Sequence, residues 1–212
     1  MIVMLDLILK FYMTKITKTK IFSVITFFII MNNVFATSFS AEKDFVSNFA
    51  GSAIKILSDN EILEGEKNNQ FTDLVMSAID LNLISKFVLS KTWKNATDNQ
   101  KERYIKAFKN YFINSYANKL DQYSGEQIEV VDAEEAGKYI IVNSFIYREG
   151  TDTLKINLKW RLLSNDNEIK IIDLNIEGIS LIIAQREEFQ SFLANNEGDL
   201  EKLIAKIISV SN

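Results

Sequence analysis

The chain contains no proline, no cysteine and no histidine in 212 residues. Without cysteine there is no disulfide, no thiolate metal site and no thiol nucleophile. Without histidine the usual general base is missing, and with it the Ser-His-Asp triad and the commonest metal ligand. Carboxylates, hydroxyls, amides and amines remain, so a carboxylate-only enzyme or an oxygen-ligand metal site stays open. Without proline, helices and strands must be bounded by Gly, Asn, Asp and Ser, and there are only 7 glycines. No Gly-rich phosphate loop, nucleotide fingerprint or metal-ligand cluster occurs.

At 47% hydrophobic and 25% charged, the composition is that of a globular chain long enough for a sizeable core. The N-terminus reads as a targeting segment. Lys15, Lys18 and Lys20 precede an apolar run, Ile21–Met31, and Val34-Phe35-Ala36 ends in a small residue suited to cleavage. The run is about half the ~20 residues that a membrane span needs. Residues 1–36 are therefore expected to be a cleaved signal peptide, with Met13 as an alternative start, and 37–212 a single domain. Removing four Lys and one Asp with the leader leaves 20 basic against 27 acidic residues, a charge of −7. That charge disfavours nucleic acid and anionic membrane surfaces as partners.

Ile171–Phe189 organises the rest of the chain. It begins with strand periodicity, Ile172, Leu174 and Ile176 on one face and Asp173, Asn175 and Glu177 on the other. Gly178 breaks the pattern, Ser180 is placed to cap, and Phe189, Phe192 and Leu193 follow at helical spacing. Glu177-Gly178 is expected to be the bend at which a strand feeds a helix.

Earlier segments fit around it. Ala41–Ser58 reads as an amphipathic helix, followed by a polar stretch at Gly65–Gln70. Phe71, Leu74, Val75, Ala78 and Ile79 make a second helix, and Asp80 caps a third. Thr97 and Gln100 form a capping box, opening a long helix to about Tyr123 whose stripe is Tyr104, Phe108, Phe112, Tyr116 and Leu120. Four strands follow, Gln127–Ala133, Tyr139–Arg148, Thr153–Leu163 and Glu168–Glu177, joined by turns short enough for antiparallel hairpins. Asp199 caps a last helix through Ile208. The expected class is α+β: N-terminal helices on a curved four-stranded antiparallel meander, with C-terminal helices returning over it.

The candidate chemistry is sparse. Parity places Trp160 with Leu154, Ile156, Leu158 and Leu162 on the apolar strand face and Arg161 opposite. The aromatic stripe of the long helix suits either plain core or the wall of a cavity. Asp173 is the one candidate general base, in the manner of carboxylate isomerases, with tyrosines available for an oxyanion hole. The plainer reading pairs it with a neighbouring Lys or has it cap a loop.

Several short elements occur in order. They are Val88-Leu89-Ser90-Lys91-Thr92-Trp93, Ala96-Thr97-Asp98-Asn99-Gln100, Ala107-Phe108 through Tyr116-Ala117, Trp160-Arg161, Asp173 with Glu177-Gly178-Ile179-Ser180, then Arg186 and Phe189. The set resembles the MlaC family of phospholipid-binding proteins, also called the toluene-tolerance family, over roughly Phe45–Ile208, with Ser90 where glycine is usual. The resemblance implies a periplasmic carrier without covalent chemistry, cofactor or metal, burying acyl tails between helices and sheet. It implies phospholipid as cargo. As partners it implies an outer-membrane lipoprotein complex and an inner-membrane ABC transporter with a membrane-anchored substrate-binding subunit. The carrier itself is expected to be a monomer. Joined to the periodicity, it makes Tyr104, Phe108, Phe112 and Tyr116 of the helix, and Val142, Ile156, Leu158, Trp160 and Leu174 of the strands, the expected tail-binding residues. An enzyme built on Asp173 and an adaptor for apolar protein segments are the alternatives.

Overall fold

A computed structural model describes residues 39–117, 125–148, 155–165 and 168–211, with backbone alone at Tyr116 and Ala117. The expected leader 1–36, the Glu149–Asp152 connection, Thr153, Leu154, the long helix beyond Ala117 and the Tyr116 side chain lie outside the described residues.

Helix α1, Ser40–Ser58, turns Val46 and Ala50 inward, exposes Asp44 and Lys55, and meets the sheet through Glu42, which accepts from Ser164 Oγ at 2.7 Å. Helix α2 spans Glu64–Ala78, so the polar stretch Gly65–Gln70 is its first half rather than a connection. Those residues show no apolar stripe because little of this half is covered, yet Glu, Lys and Gln are good helix formers. Helix α3, Leu81–Leu89, starts at Asp80, whose carboxylate accepts from the Leu83 N–H at 2.8 Å. A short helix α4, Lys91–Asn95, precedes α5, Asp98–Ala117. The capping box is present: Thr97 Oγ1 accepts from the Gln100 N–H at 3.2 Å, and Gln100 Oε1 accepts from the Thr97 N–H at 3.0 Å.

Strands β1 (Glu126–Ala136), β2 (Tyr139–Arg148), β3 (Ile156–Asn165) and β4 (Glu168–Ile176) pair antiparallel in chain order. The sheet has five strands rather than four. A two-residue β5, Ile179–Ser180, folds back on Asn175–Ile176. Glu177 (φ 50°) and Gly178 (φ 89°) both hold positive φ, as a two-residue hairpin of the primed type requires. The bend therefore makes a hairpin first and a helix only afterwards. Helix α6, Leu181–Ala194, begins with Ser180 Oγ accepting from the Ile183 N–H, and α7, Leu200–Val210, begins at Asp199.

The parity expected for β4 is shifted by a bulge. Arg161 pairs with Asp173 but Leu162 pairs with Ile171, so Ile172 is the extra residue. Trp160 faces Leu174 in register, and the apolar row of β4 runs through Ile171 and Leu174 rather than through Ile172.

Two cores result. One lies between α1, the end of α2 and the sheet, around Val46, Ala78, Val142, Leu158, Trp160, Leu162 and Ile171. The other lies among α3, α5, α6 and α7, around Val88, Tyr104, Phe108, Phe189, Leu203 and Ile204. Ile79 packs on both, and the Asp80 N–H donates to the Ile171 carbonyl at 3.1 Å, tying helices to sheet. No described helix is long and apolar enough to cross a membrane.

Candidate functional site

Where the two cores meet, the packing is incomplete. A cavity of about 240 Å³ opens there. Helix α1 contributes Phe49, Ala50 and Ala53; α2 contributes Phe71, Thr72 and Val75, and Ile79 follows. The sheet contributes Ile128, Trp160, Ile171, Asp173 and Leu174, while α5 adds Phe112 and Ile113 and α6 adds Leu181 and Ile182. Among the described residues that line it, Thr72 and Asp173 alone carry a hydroxyl or a carboxylate. The space exists because α1 presents alanines at 50 and 53 to a sheet whose neighbouring side chain, Trp160, is already locked. The Trp160 indole N–H donates to Ser144 Oγ at 2.8 Å, and the Phe49 ring meets it edge-on at 5.8 Å.

Asp173 is 3% exposed although parity assigns it to the face opposite Leu174. The first turn of α6 folds over it. Ser180 Oγ donates to its Oδ2 at 2.6 Å, the Ile182 N–H donates to its Oδ1 at 3.3 Å, and the Arg161 guanidinium lies 3.6 Å away. Arg161 also stacks over the Tyr139 ring. The carboxylate thus fastens β4 to the N-terminus of α6, where the helix dipole favours negative charge. Glu177 belongs to the same joint, accepting from the backbone N–H and the side-chain amide of Asn157. The partner of Asp173 is thus not the expected lysine but Arg161 of the neighbouring strand, and the remaining contacts hold the start of a helix rather than a loop.

A second cavity, of about 200 Å³, adjoins the first. Phe112, Leu181 and Ile182 line both. Ile84, Val88 and Phe108 complete its apolar wall, and Tyr111, Ser115 and Gln185 give it a polar one. The Tyr111 hydroxyl donates to Gln185 Oε1 at 3.1 Å, and Gln185 Nε2 donates to Glu188 at 2.9 Å. Burial and the Glu188 charge push the Tyr111 phenol up, against the hydrogen bonds from Gln185 and Ser115.

Of the residues expected from the sequence, Phe112, Trp160 and Leu174 line the first cavity and Phe108 lines the second. Tyr104 is fully buried with its hydroxyl donating to the Ser85 carbonyl at 3.1 Å, and burial raises its pKa. Val142 and Leu158 sit in the sheet core with Val46, and Ile156 packs at its margin. The sequence reading named nothing from α1 or α2 for the site. Phe49, Ala50 and Ala53 were visible there as an apolar helix face, but nothing in their spacing distinguishes a cavity wall from solid packing. Among the described residues, no group of three acidic side chains is placed to hold a metal ion.

Comparison with known proteins supplies the context. The family model described as MlaC protein matches residues 47–209. The intermembrane phospholipid transport system binding protein MlaC of Haemophilus influenzae is 24% identical over 132 residues, which is 61% of this chain and 61% of that protein. The chain thus matches about three fifths of the length of this curated relative. The structure of a phospholipid-binding protein from Ralstonia solanacearum, in complex with a phospholipid, superposes with a TM-score of 0.68 at 19% identity. That likeness covers 80% of this chain and 96% of the other, and at such identity it shows the fold alone.

Proposed function

This chain belongs to the MlaC family, and on that premise we propose that it is a phospholipid carrier whose first cavity receives acyl tails. The observation that carries the reading is the lining of that cavity. Of the sixteen described residues that line it, fourteen are apolar, and the carboxylate among them is already engaged by protein groups.

The energetics suit a carrier. Each buried methylene is worth ~0.8 kcal/mol, so a tail of about a dozen resists leaving a bilayer by roughly 10 kcal/mol. A carrier offsets that cost by enclosing the tail in apolar walls. Phe49, Phe112, Trp160 and Leu174 offer such walls, with Phe108 beyond the partition. Tyr104, Val142, Ile156 and Leu158 then serve behind them. In this reading residues 1–36 export the chain to the periplasm and are removed. The mature monomer shuttles lipid between an outer-membrane lipoprotein complex and an inner-membrane ABC transporter with a membrane-anchored binding subunit, maintaining outer-membrane lipid asymmetry.

The engaged state of Asp173 favours a carrier over an enzyme that uses this residue as a free base. The test is native mass spectrometry of protein purified without detergent, followed by solvent extraction. A discrete added mass that extracts as phospholipid is expected, and Ala53→Phe, which fills the first cavity, should lower lipid occupancy. Protein that stays bare even after incubation with phospholipid vesicles would sink the reading.

A further inference from the structure

The two cavities share a wall but differ in chemistry, and the difference gives a bound lipid a direction. In the first cavity the polar groups are Thr72 and an Asp173 carboxylate held by Ser180, Ile182 and Arg161. Across Phe112, Leu181 and Ile182, the second cavity offers Tyr111, Ser115 and Gln185. An amphiphile lying across the partition meets apolar surface at one end and hydrogen-bonding groups at the other.

We propose that the second cavity seats the neutral ester neck of a diacyl lipid, the carbonyls joining tails to head, while the tails occupy the first. This rests on the phospholipid reading above and adds an orientation and a ligand chemistry to it. A carboxamide nitrogen has two hydrogens, and Glu188 takes one of those on Gln185. The other is left, among the described residues, to donate to a carbonyl oxygen, while Ser115, hydrogen-bonded to Tyr111, lines the same wall.

Charge decides what kind of acceptor fits. Among the described residues no Lys or Arg lines the second cavity, and the Glu188 carboxylate lies against Gln185. The same negative charge contributes to the raised pKa of Tyr111. An anion, whether a phosphate or a fatty-acid carboxylate, is repelled from this position, whereas a neutral ester carbonyl is not. The phosphate of the bound lipid must then lie beyond the second cavity.

The test compares two lipids that differ only at the neck. Protein from the full chain is incubated with vesicles containing equal amounts of dioleoyl phosphatidylglycerol and its ether-linked analogue, which has no carbonyls. The bound ratio is read by native mass spectrometry. The ester lipid is expected to be favoured by about 5-fold, the equivalent of ~1 kcal/mol for one ordinary hydrogen bond. Gln185→Leu should bring the ratio towards one, and Gln185→Met carries the same test if that variant does not fold. Equal uptake of both lipids by the unaltered chain, or a preference that survives both substitutions, overturns the ester-neck site and leaves the carrier reading standing. Uptake of neither lipid overturns the carrier reading itself.

Discussion

The two interior regions solve the same packing problem differently. Among α3, α5, α6 and α7, large side chains interlock: the Phe108 ring lies 5.9 Å from Tyr104 and 6.2 Å from Phe189, the latter edge-on. Leu203, Ile204 and Ile207 of α7 close this core, all at most 1% exposed. Between α1, α2 and the sheet, Ala50, Ala53 and Val75 stand across from Trp160, Ile171 and Leu174 around a cavity. The helical region also keeps a cavity of about 200 Å³ at its edge, but with a polar wall, whereas the space at the sheet is lined almost wholly by apolar side chains. A small helix face laid on a sheet leaves space because the sheet cannot bend inward to fill it.

The sharpest way to break this comparison is Phe108→Ala. Removing a buried aromatic that touches three rings should cost about 3–5 kcal/mol in denaturant unfolding. Phe49→Ala, at a side chain only half-buried where Phe108 is fully buried, should cost clearly less. Equal costs would mean the two regions are packed alike.

Next in size is the joint between the regions. Asp173→Ala removes the acceptor of Ser180 and of the Ile182 N–H. Hydrogen bonds to charged groups contribute ~1.5–3 kcal/mol each, so a loss of about 2–3 kcal/mol is expected in thermal or chemical unfolding. No change in stability would show that the carboxylate does not fasten β4 to α6.

The helical core also predicts an alkaline limb. Burial holds the Tyr104 phenol neutral in the folded chain, while the unfolded phenol ionises near pH ~10. Its stabilising contribution is complete below that pH and is lost as pH rises above it, by up to ~1.4 kcal/mol per unit. Tyr104→Phe should flatten the limb. An unchanged slope in that variant would assign it to other groups.

The smallest effect tests the helix that borders both regions. Thr97→Ala removes the cap at the start of α5 and should cost ~1 kcal/mol. Thr97→Ser should cost almost nothing. A change in bound lipid without a change in stability would mean that the cap sets the pitch of the cavity wall as well as the helix end.

Local chemistry was legible wherever a side chain meets its own neighbourhood in the chain. Thr97 with Gln100, Asp80 with Leu83, Ser180 with Ile183 and Asp199 with Glu201 cap where the sequence places them. The shared face of Trp160 and Leu158 followed from period two. Features without a period were hidden: β5 is two residues long, and the first half of α2 shows no apolar stripe.

The stripe Tyr104, Phe108, Phe112 shows the limit within one helix. At 3.6 residues per turn, each step of four rotates the side chain by about 40°. Tyr104 therefore points into solid core, Phe108 to the edge of the second cavity, and Phe112 to the partition between the two.

The sequence by itself determined the α+β class, the order of the elements, most of their ends and the absence of thiol and imidazole chemistry. These depend on residue type and on neighbours a few positions away. Only the tertiary structure decided that the small faces of α1 and α2 oppose Trp160, that a bulge at Ile172 turns Ile171 inward, and that Asp173 is buried beneath α6. A cavity is packing that does not close between segments distant in the chain, and no local pattern of residues records it.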